Sequence, residues 1–240
     1  MTTPPLADRI ARVDWAAAAA ALDATGHAVL PHLLTEAEAM DAIGLFDAPE
    51  PGRFRREVVM ERHGYGRGVY RYFADPLPPV VQTLRTQLYP PLATVADRWA
   101  ERLGLSARFP RDHAAYRARC HAAGQTRPTP LLLRYGPGDY NCLHQDLYGE
   151  EVFPIQAVAL LSRPGADFAG GEFVLVEQQP RRQSRAHVVP LDRGDVALFA
   201  VRDRPQPGRL GWRRTQLRHG VATLRSGSRT TLGIIFHDAA

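Results

Sequence analysis

The chain contains no lysine: all 30 of its Lys-plus-Arg residues are arginine, set against 25 Asp and Glu for a formal net charge of +5 over 240 residues. An arginine-only repertoire beside abundant Ala, Gly and Pro reads as a GC-rich coding bias, so basicity alone is discounted as a nucleic-acid signal. Cysteine is scarce, and Cys120 and Cys142 stand in neither CxxC nor zinc-type spacing. That excludes a disulfide scaffold and leaves reduced, intracellular thiols as the reading. No apolar run is long enough to span a bilayer: residues 16–22 are too few and too weakly apolar, and the start MTTPPLADRIARVDW lacks a basic stretch followed by an apolar signal core. A cytoplasmic location without a membrane partner is expected. Repeats, low-complexity tracts and linkers are missing too. With 45% hydrophobic and 23% charged residues, the composition is that of one globular domain, 1–240. The oligomeric state is not legible.

What is present divides by texture. Residues 1–130 read mainly as a helical flank and lid: Asp14 caps a helix over 15–24 that Gly26 closes, a short strand covers 27–30, and Thr35 with Glu38 has capping-box spacing for a helix to about Phe46. The stretch 54–73 alternates like a strand but is interrupted by Gly64, Gly66 and Gly68, which suits a β-ribbon or a mobile loop. From 78 to 103 the apolar residues recur at helical spacing, with Pro90 and Pro91 expected to kink or divide the element. A further helix is expected over 111–121. After Pro130, strands are expected over 131–135, 155–161, 172–177, 185–189, 195–201, 215–223 and 229–237, separated by turn residues. Strands in series without helices between them imply an antiparallel sandwich or jelly roll. The fold class is therefore α+β, with N-terminal helices flanking a β-core over 131–240.

The residues that point to chemistry lie in that core. His144 and Asp146 are two apart near the end of a short strand, so alternation puts both side chains on one face. An HxD pair alone is a weak signal. It gains meaning from His219, 73 residues after Asp146 on a late strand, and from Arg229, ten residues after His219, with Thr231 two further on. Two imidazoles and a carboxylate suit a facial triad with open positions on Fe(II), and Arg229 with Thr231 offers a guanidinium fork and a hydroxyl to a carboxylate. The seven other histidines have no such context, and no HExxH of a zinc hydrolase occurs.

His144-x-Asp146, His219 and Arg229-x-Thr231 resemble the signature of the Fe(II)- and 2-oxoglutarate-dependent dioxygenases, whose catalytic core is a double-stranded β-helix. The stretch Arg134-Tyr135-Gly136-Pro137-Gly138, leading to Leu143-His144-Gln145-Asp146, is similar to the AlkB-type nucleic-acid dealkylases. Gly170-Gly171-Glu172 and residues 194–199 are similar to prolyl 4-hydroxylase-type members. The pattern departs from AlkB at Leu133, where that family has Asn, and at Ile235, where it has a second Arg. The ending TTLGIIFHD resembles a prokaryotic family described as nucleic-acid oxygenases acting on damaged DNA. The resemblance implies that His144, Asp146 and His219 hold Fe(II), and that Arg229, Thr231 and Tyr135 contact 2-oxoglutarate. O2 would be the co-substrate and ascorbate a supporting reductant. It further implies oxidative demethylation of damaged single-stranded or flipped-base DNA or RNA. In the 54–73 stretch the first expectation is a ribbon that packs its aromatics on the β-core with arginines facing solvent; the alternative is that Tyr65, Tyr70, Tyr72 and Phe73 stack on bases while Arg62, Arg67 and Arg71 meet phosphates. A hydroxylase of a protein side chain or small molecule, and a non-catalytic jelly-roll binding module, remain as alternatives.

Overall fold

In the computed structural model, which describes residues 3–179, 182–209 and 211–240, a short helix α1 (Leu6–Ala11) precedes α2 (Trp15–Thr25). The Asp14 side chain accepts from the Ala17 amide to start α2. Gly26 ends it at φ +80°, where a Cβ would meet the Arg204 side chain at 2.7 Å, so only glycine closes the turn without displacing that residue. Strand β1 (His27–Leu30) follows, then α3 (Glu36–Asp47), opened by the reciprocal Thr35–Glu38 capping box.

Residues 54–73 form ordered strands rather than a mobile loop: β2 (Phe54–Val59), β3 (Gly66–Arg67) and β4 (Val69–Phe73). Helix α4 (Pro79–Arg102) runs unbroken through Pro90 and Pro91, which corrects the expected division. Val81, Leu84, Leu88, Leu92, Val95 and Trp99 are all buried along it, and this packing outweighs two lost amide donors. The carbonyls left without those donors belong to Thr86, half-buried, and Gln87, exposed, so neither residue is sealed in the core. Helix α5 (His113–Ala122) completes the helical layer.

The remaining strands are β5 (Leu131–Tyr135), β6 (Tyr140–His144), β7 (Ile155–Leu160), β8 (Phe168–Gly170), β9 (Phe173–Gln178), β10 (Arg185–Val189), β11 (Val196–Ala200), β12 (Asp203–Gly208), β13 (Gly211–Val221), β14 (Leu224–Gly227) and β15 (Arg229–Ile234). A seven-stranded sheet runs β1-β11-β7-β15-β5-β4-β2, and a second sheet runs β10-β9-β13-β6-β3 with β12 attached to β13. Three strands of the larger sheet thus come from the first 130 residues, so the β-structure extends well beyond 131–240. β12 escaped expectation because its sequence DRPQPG carries two prolines; paired only to β13, it is an edge where proline removes no needed donor. The last strand ends at Ile234, and residues 235–238 leave the sheet to dock on α4 and α5 through the Arg85, His113 and Arg117 side chains.

The core lies where the larger sheet meets the helices: β7, β11 and β15 are buried at every position, and one apolar cluster extends from Leu6 through α4 to Phe236. The opposite face of that sheet is set by register. Tyr72 pairs with Leu131, Leu131 with Gly233 and Gly233 with Val158, while Tyr70 pairs with Leu133 and Leu133 with Thr231. All of these line a cavity of about 610 Å³ closed on its other side by β6 and β13.

Candidate active site

His144 and His219 are register partners on the adjacent antiparallel strands β6 and β13, so the ladder itself sets their imidazoles side by side, ring centroids 4.1 Å apart and planes tilted by 48°. Asp146 follows β6 by two residues and turns its carboxylate between them, Oδ1 3.6 Å from His144 Nε2 and Oδ2 3.3 Å from His219 Nε2. The donor atoms of the three residues all lie within 4.8 Å of one another. They are the cluster of three or more His, Cys, Asp or Glu suited to a metal ion that the described residues contain.

Each donor is oriented by a neighbour. His144 Nδ1 donates to the Cys142 carbonyl at 2.8 Å, which fixes the tautomer whose Nε2 lone pair faces the cluster. Asp146 accepts from Tyr148 Oη on Oδ1 at 2.7 Å and from Gln156 Nε2 on Oδ2 at 2.8 Å. Tyr148 Oη is in turn 3.1 Å from Tyr72 Oη. Burial alone would raise the Asp146 carboxyl pKa, but the His219 hydrogen bond and the His144 charge outweigh it and hold the group below the usual carboxylate range. Burial, then the neighbouring His144, depresses His219 and keeps it neutral. A carboxylate and imidazole nitrogens are ligand types a divalent ion takes. Two buried atoms at the cluster, His219 Nδ1 and Gln156 Oε1, have no protein partner. The donor chemistry and these orphaned atoms together fit Fe(II), which takes imidazole and carboxylate ligands.

On the same cavity wall stands Arg229, 2% exposed, at the start of β15 opposite Tyr135. Gly171, at φ +65°, makes room for it: a Cβ there would sit 2.9 Å from Arg229 Cδ. Arg229 Nε and Nη1 are buried without a partner, and burial draws its pKa down, although a guanidinium stays charged in proteins. Tyr135 packs beside it, 5.7 Å from ring centroid to Arg229 Cζ, with its Oη 3.4 Å from Asn141 Nδ2. Burial pushes the Tyr135 phenol up to about 12, so it remains a protonated donor. Thr231, also 2% exposed, lies two residues along the same strand face and lines the cavity. All six sequence-selected residues thus border one cavity.

The sequence missed Tyr148, Gln156 and Asn141, and it offered Tyr72 for base stacking rather than for the hydroxyl contact with Tyr148. Gln156 left a trace, as the one polar residue in the strand IQAVAL, all six positions of which are buried. Tyr148 and Tyr72, 76 residues apart, meet only through the fold. Of the ribbon residues offered to nucleic acid, Phe73 is in the core and Tyr72 is 7% exposed. Arg71 is occupied by Glu57 at 2.6 Å and the Phe46 carbonyl at 2.8 Å, which corrects its expected phosphate role.

Two histidines and a carboxylate gathered in one cavity with a buried, unpartnered arginine make a candidate metal centre with an anion-binding group in the same cavity. Residues 68–239 match the Oxygenase-NA family model, described as an oxygenase catalysing oxidative methylation of damaged DNA, and the chain belongs to that family. It is 47% identical over 197 residues to the uncharacterized protein Rv2227 of Mycobacterium tuberculosis strain H37Rv and, to the same extent, to MT2286 of strain CDC 1551 / Oshkosh. Those alignments cover 80% of this chain and 84% of each relative. In fold it is similar to an oxidoreductase of the 2OG-Fe(II) oxygenase family from Burkholderia pseudomallei, at TM-score 0.51 and 20% identity, covering 95% of this chain and 94% of that one. It is also similar to a prolyl hydroxylase from Trichoplax adhaerens solved with a hypoxia inducible factor peptide, at TM-score 0.51 and 13% identity, covering 99% and 94%. No helix among the described residues is long and apolar enough to cross a membrane.

Proposed function

We propose that His144, Asp146 and His219 hold Fe(II), that Arg229, Thr231 and Tyr135 hold 2-oxoglutarate, and that the enzyme removes methyl groups from alkylated bases of nucleic acid. The observation that carries this reading is Arg229, a buried guanidinium with two unpartnered nitrogens on the wall of the cavity that holds the triad. A buried charge left without its partner is strongly destabilising, so its retention beside a metal cluster speaks for an anionic co-substrate. When bound, Fe(II) with 2-oxoglutarate and O2 supplies oxidation of a substrate C–H bond, coupled to conversion of the keto acid to succinate and carbon dioxide.

The chain's own residues position that chemistry. Arg229 pairs with the distal carboxylate of 2-oxoglutarate through its fork, while Thr231 and the protonated Tyr135 hydroxyl donate to the same group. Gln156 and Tyr148 hold the two oxygens of Asp146, keeping its carboxylate between the two imidazoles. The apolar side chains Leu131, Leu133 and Val158 exclude water from the reacting end. Damaged nucleic acid as substrate is supported by the family's description. An oxidant acts on an N-methyl group by hydroxylating it, and the hydroxymethyl group then leaves as formaldehyde, so demethylation is the direction we assign. Both cysteines are free, in keeping with a cytoplasmic enzyme. The apolar cluster shared by the helical layer and the strands supports residues 1–240 working as one domain.

The test is purified protein with Fe(II), 2-oxoglutarate, ascorbate and a panel of methylated oligonucleotides, read by mass spectrometry and formaldehyde release. Loss of methyl groups with matching succinate formation is the expected result. Oxoglutarate turnover that leaves every oligonucleotide methylated would reject the substrate and reassign the enzyme to hydroxylation of a protein side chain or small molecule.

A further inference from the structure

The cavity opens at a rim of three arginines for which the site described above has no task. Arg55 and Arg56 come from β2, and Arg127 from the segment before β5; all three line the cavity. Consecutive strand residues ordinarily point to opposite faces. Here the β2–β4 register shifts between Phe54 and Arg56, and such a bulge re-aims a side chain, which is how neighbours on one strand border the same opening. The rim is anchored at several points: Arg55 Nε donates to the Pro128 carbonyl at 2.8 Å, and the Arg127 backbone exchanges hydrogen bonds with Ala239 at 3.0 and 2.8 Å.

None of these guanidiniums is in an ion pair with a carboxylate among the described residues, unlike several arginines elsewhere on the molecule. Arg71 has Glu57, Arg102 has Asp23 and Arg193 has Glu36. Arg56 and Arg127 are exposed and form no ion pair among the described residues. Asp146 is the one Asp or Glu lining the cavity, and it belongs to the triad. The three charges act on one another: burial first, then Arg127 and Arg56, depress the Arg55 pKa. Like charges gathered at one opening repel, and an arriving anion relieves the repulsion. From the rim inward runs an aromatic track. Arg55 lies 4.4 Å from the centre of the Tyr72 ring, Tyr70 meets Tyr72 edge-on at 5.3 Å, and Tyr72 reaches Asp146 through the Tyr148 hydroxyl.

We propose that Arg55, Arg56 and Arg127 form a phosphate clamp for a nucleic-acid strand, with the clamped nucleotide's base extending past Tyr70 and Tyr72 toward the triad. This rests on the nucleic-acid reading of the site and states where the phosphates go. A guanidinium fork matches phosphate geometry, and an aromatic wall takes the flat face of any base. An acidic peptide would satisfy the charge but leave the tyrosine track without a partner of its own shape.

The experiment measures binding of a short fluorescein-labelled single-stranded DNA by anisotropy against added NaCl. For single strands the slope of log affinity against log salt changes by about 0.7 per phosphate contact. The variant Arg56→Ala/Arg127→Ala is expected to lower the slope by about 1.4 and to weaken low-salt binding at least about tenfold. Arg56→Lys/Arg127→Lys keeps the slope, because charge rather than the fork releases counter-ions. Arg12→Ala, at an exposed arginine outside the cavity lining, leaves it unchanged, and thermal unfolding verifies that each variant is folded. Wild-type slope and affinity in the double alanine variant overturn the clamp. So does equally tight, Arg56- and Arg127-dependent binding of a labelled polyglutamate peptide, which would assign the rim to an acidic chain.

Methyl release separates the two claims. Arginine-dependent strand binding without methyl loss rejects the proposed reaction and leaves the clamp. Equal release from a methylated oligonucleotide and from the free methylated nucleoside, unaffected by the variants, rejects the clamp and leaves the reaction.

Discussion

Two of the regions in which this molecule buries charge treat it in opposite ways. Around Asp238, 0% exposed, every charge is answered by the protein: Arg85 Nη2 at 2.5 Å, Arg117 Nε at 2.9 Å and His121 Nε2 at 2.9 Å, while Arg85 Nε takes the Ile235 carbonyl at 3.0 Å. Burial would raise the Asp238 pKa, but Arg85 and Arg117 outweigh it and hold the carboxyl at about 2. Around the triad, by contrast, Arg229 Nε and Nη1, His219 Nδ1 and Gln156 Oε1 stay unanswered. Satisfied buried charge locks the chain to itself, here residues 235–238 to α4 and α5. Unsatisfied buried charge beside a cavity is reserved for something the chain does not supply.

The comparison breaks first at the metal cluster. Either His144→Ala or His219→Ala is expected to abolish oxoglutarate turnover and to weaken Mn(II) or Fe(II) binding, measured by calorimetry, by more than the roughly 10–100-fold that outer ligand partners are worth. Unchanged metal affinity would make the triad a second structural cluster. At Asp238 the effect falls on stability instead: Arg85→Ala leaves a buried carboxylate short of its main partner and is expected to cost about 3–5 kcal/mol in urea unfolding.

Next in size is a pH effect from the same region. His113 donates to the Phe236 carbonyl at 2.9 Å, and burial, then the Arg85 charge, depresses its pKa to about 4. Below about pH 6.5 the unfolded chain takes up a proton there that the folded chain refuses until about pH 4. His113 should therefore lower stability across that window by on the order of 3 kcal/mol, and His237, depressed to about 4 by burial, adds to the same limb. His113→Asn should make this limb of the unfolding free energy against pH shallower; a limb of unchanged depth would remove His113 as one of its sources.

Arg229→Met sharpens the contrast, because it deletes an unpaired charge and keeps the length of the side chain. The Kd for 2-oxoglutarate should rise about 10- to 100-fold, as loss of a charged hydrogen bond of 1.5–3 kcal/mol implies, while Tm holds or rises. A fall in Tm as steep as that of Arg85→Ala would place Arg229 with the structural charges. The smallest change expected is at Tyr148: Tyr148→Phe removes one of the two hydrogen bonds on Asp146 and should weaken metal binding about tenfold, with little effect on oxoglutarate affinity at saturating metal.

The sequence reading succeeded where physics is local. Asp14, Thr35 with Glu38, and Gly26 marked helix ends because caps act over three or four residues. Strand alternation placed His144 and Asp146 on one face. It failed where tertiary packing overrode local rules: Pro90 and Pro91 sit inside an intact α4 whose burial outweighs them, and the prolines of β12 are tolerated on an edge. Tyr148 and Gln156 carried no motif, since their roles arise from the position of Asp146 and not from neighbours in the chain.

By itself, the sequence determined the α+β class, the β-rich second half and the residue types of the site, because periodicity, caps and the spacing of His144, Asp146, His219 and Arg229 are properties of the chain as written. Only the tertiary structure decided that these residues share one cavity, that Arg229 is left unpaired while Arg85 is not, and that Arg55, Arg56 and Arg127 gather at its mouth. Pairing, burial and repulsion are relations between segments far apart in sequence, and they exist only once strand register and sheet packing have brought those segments together.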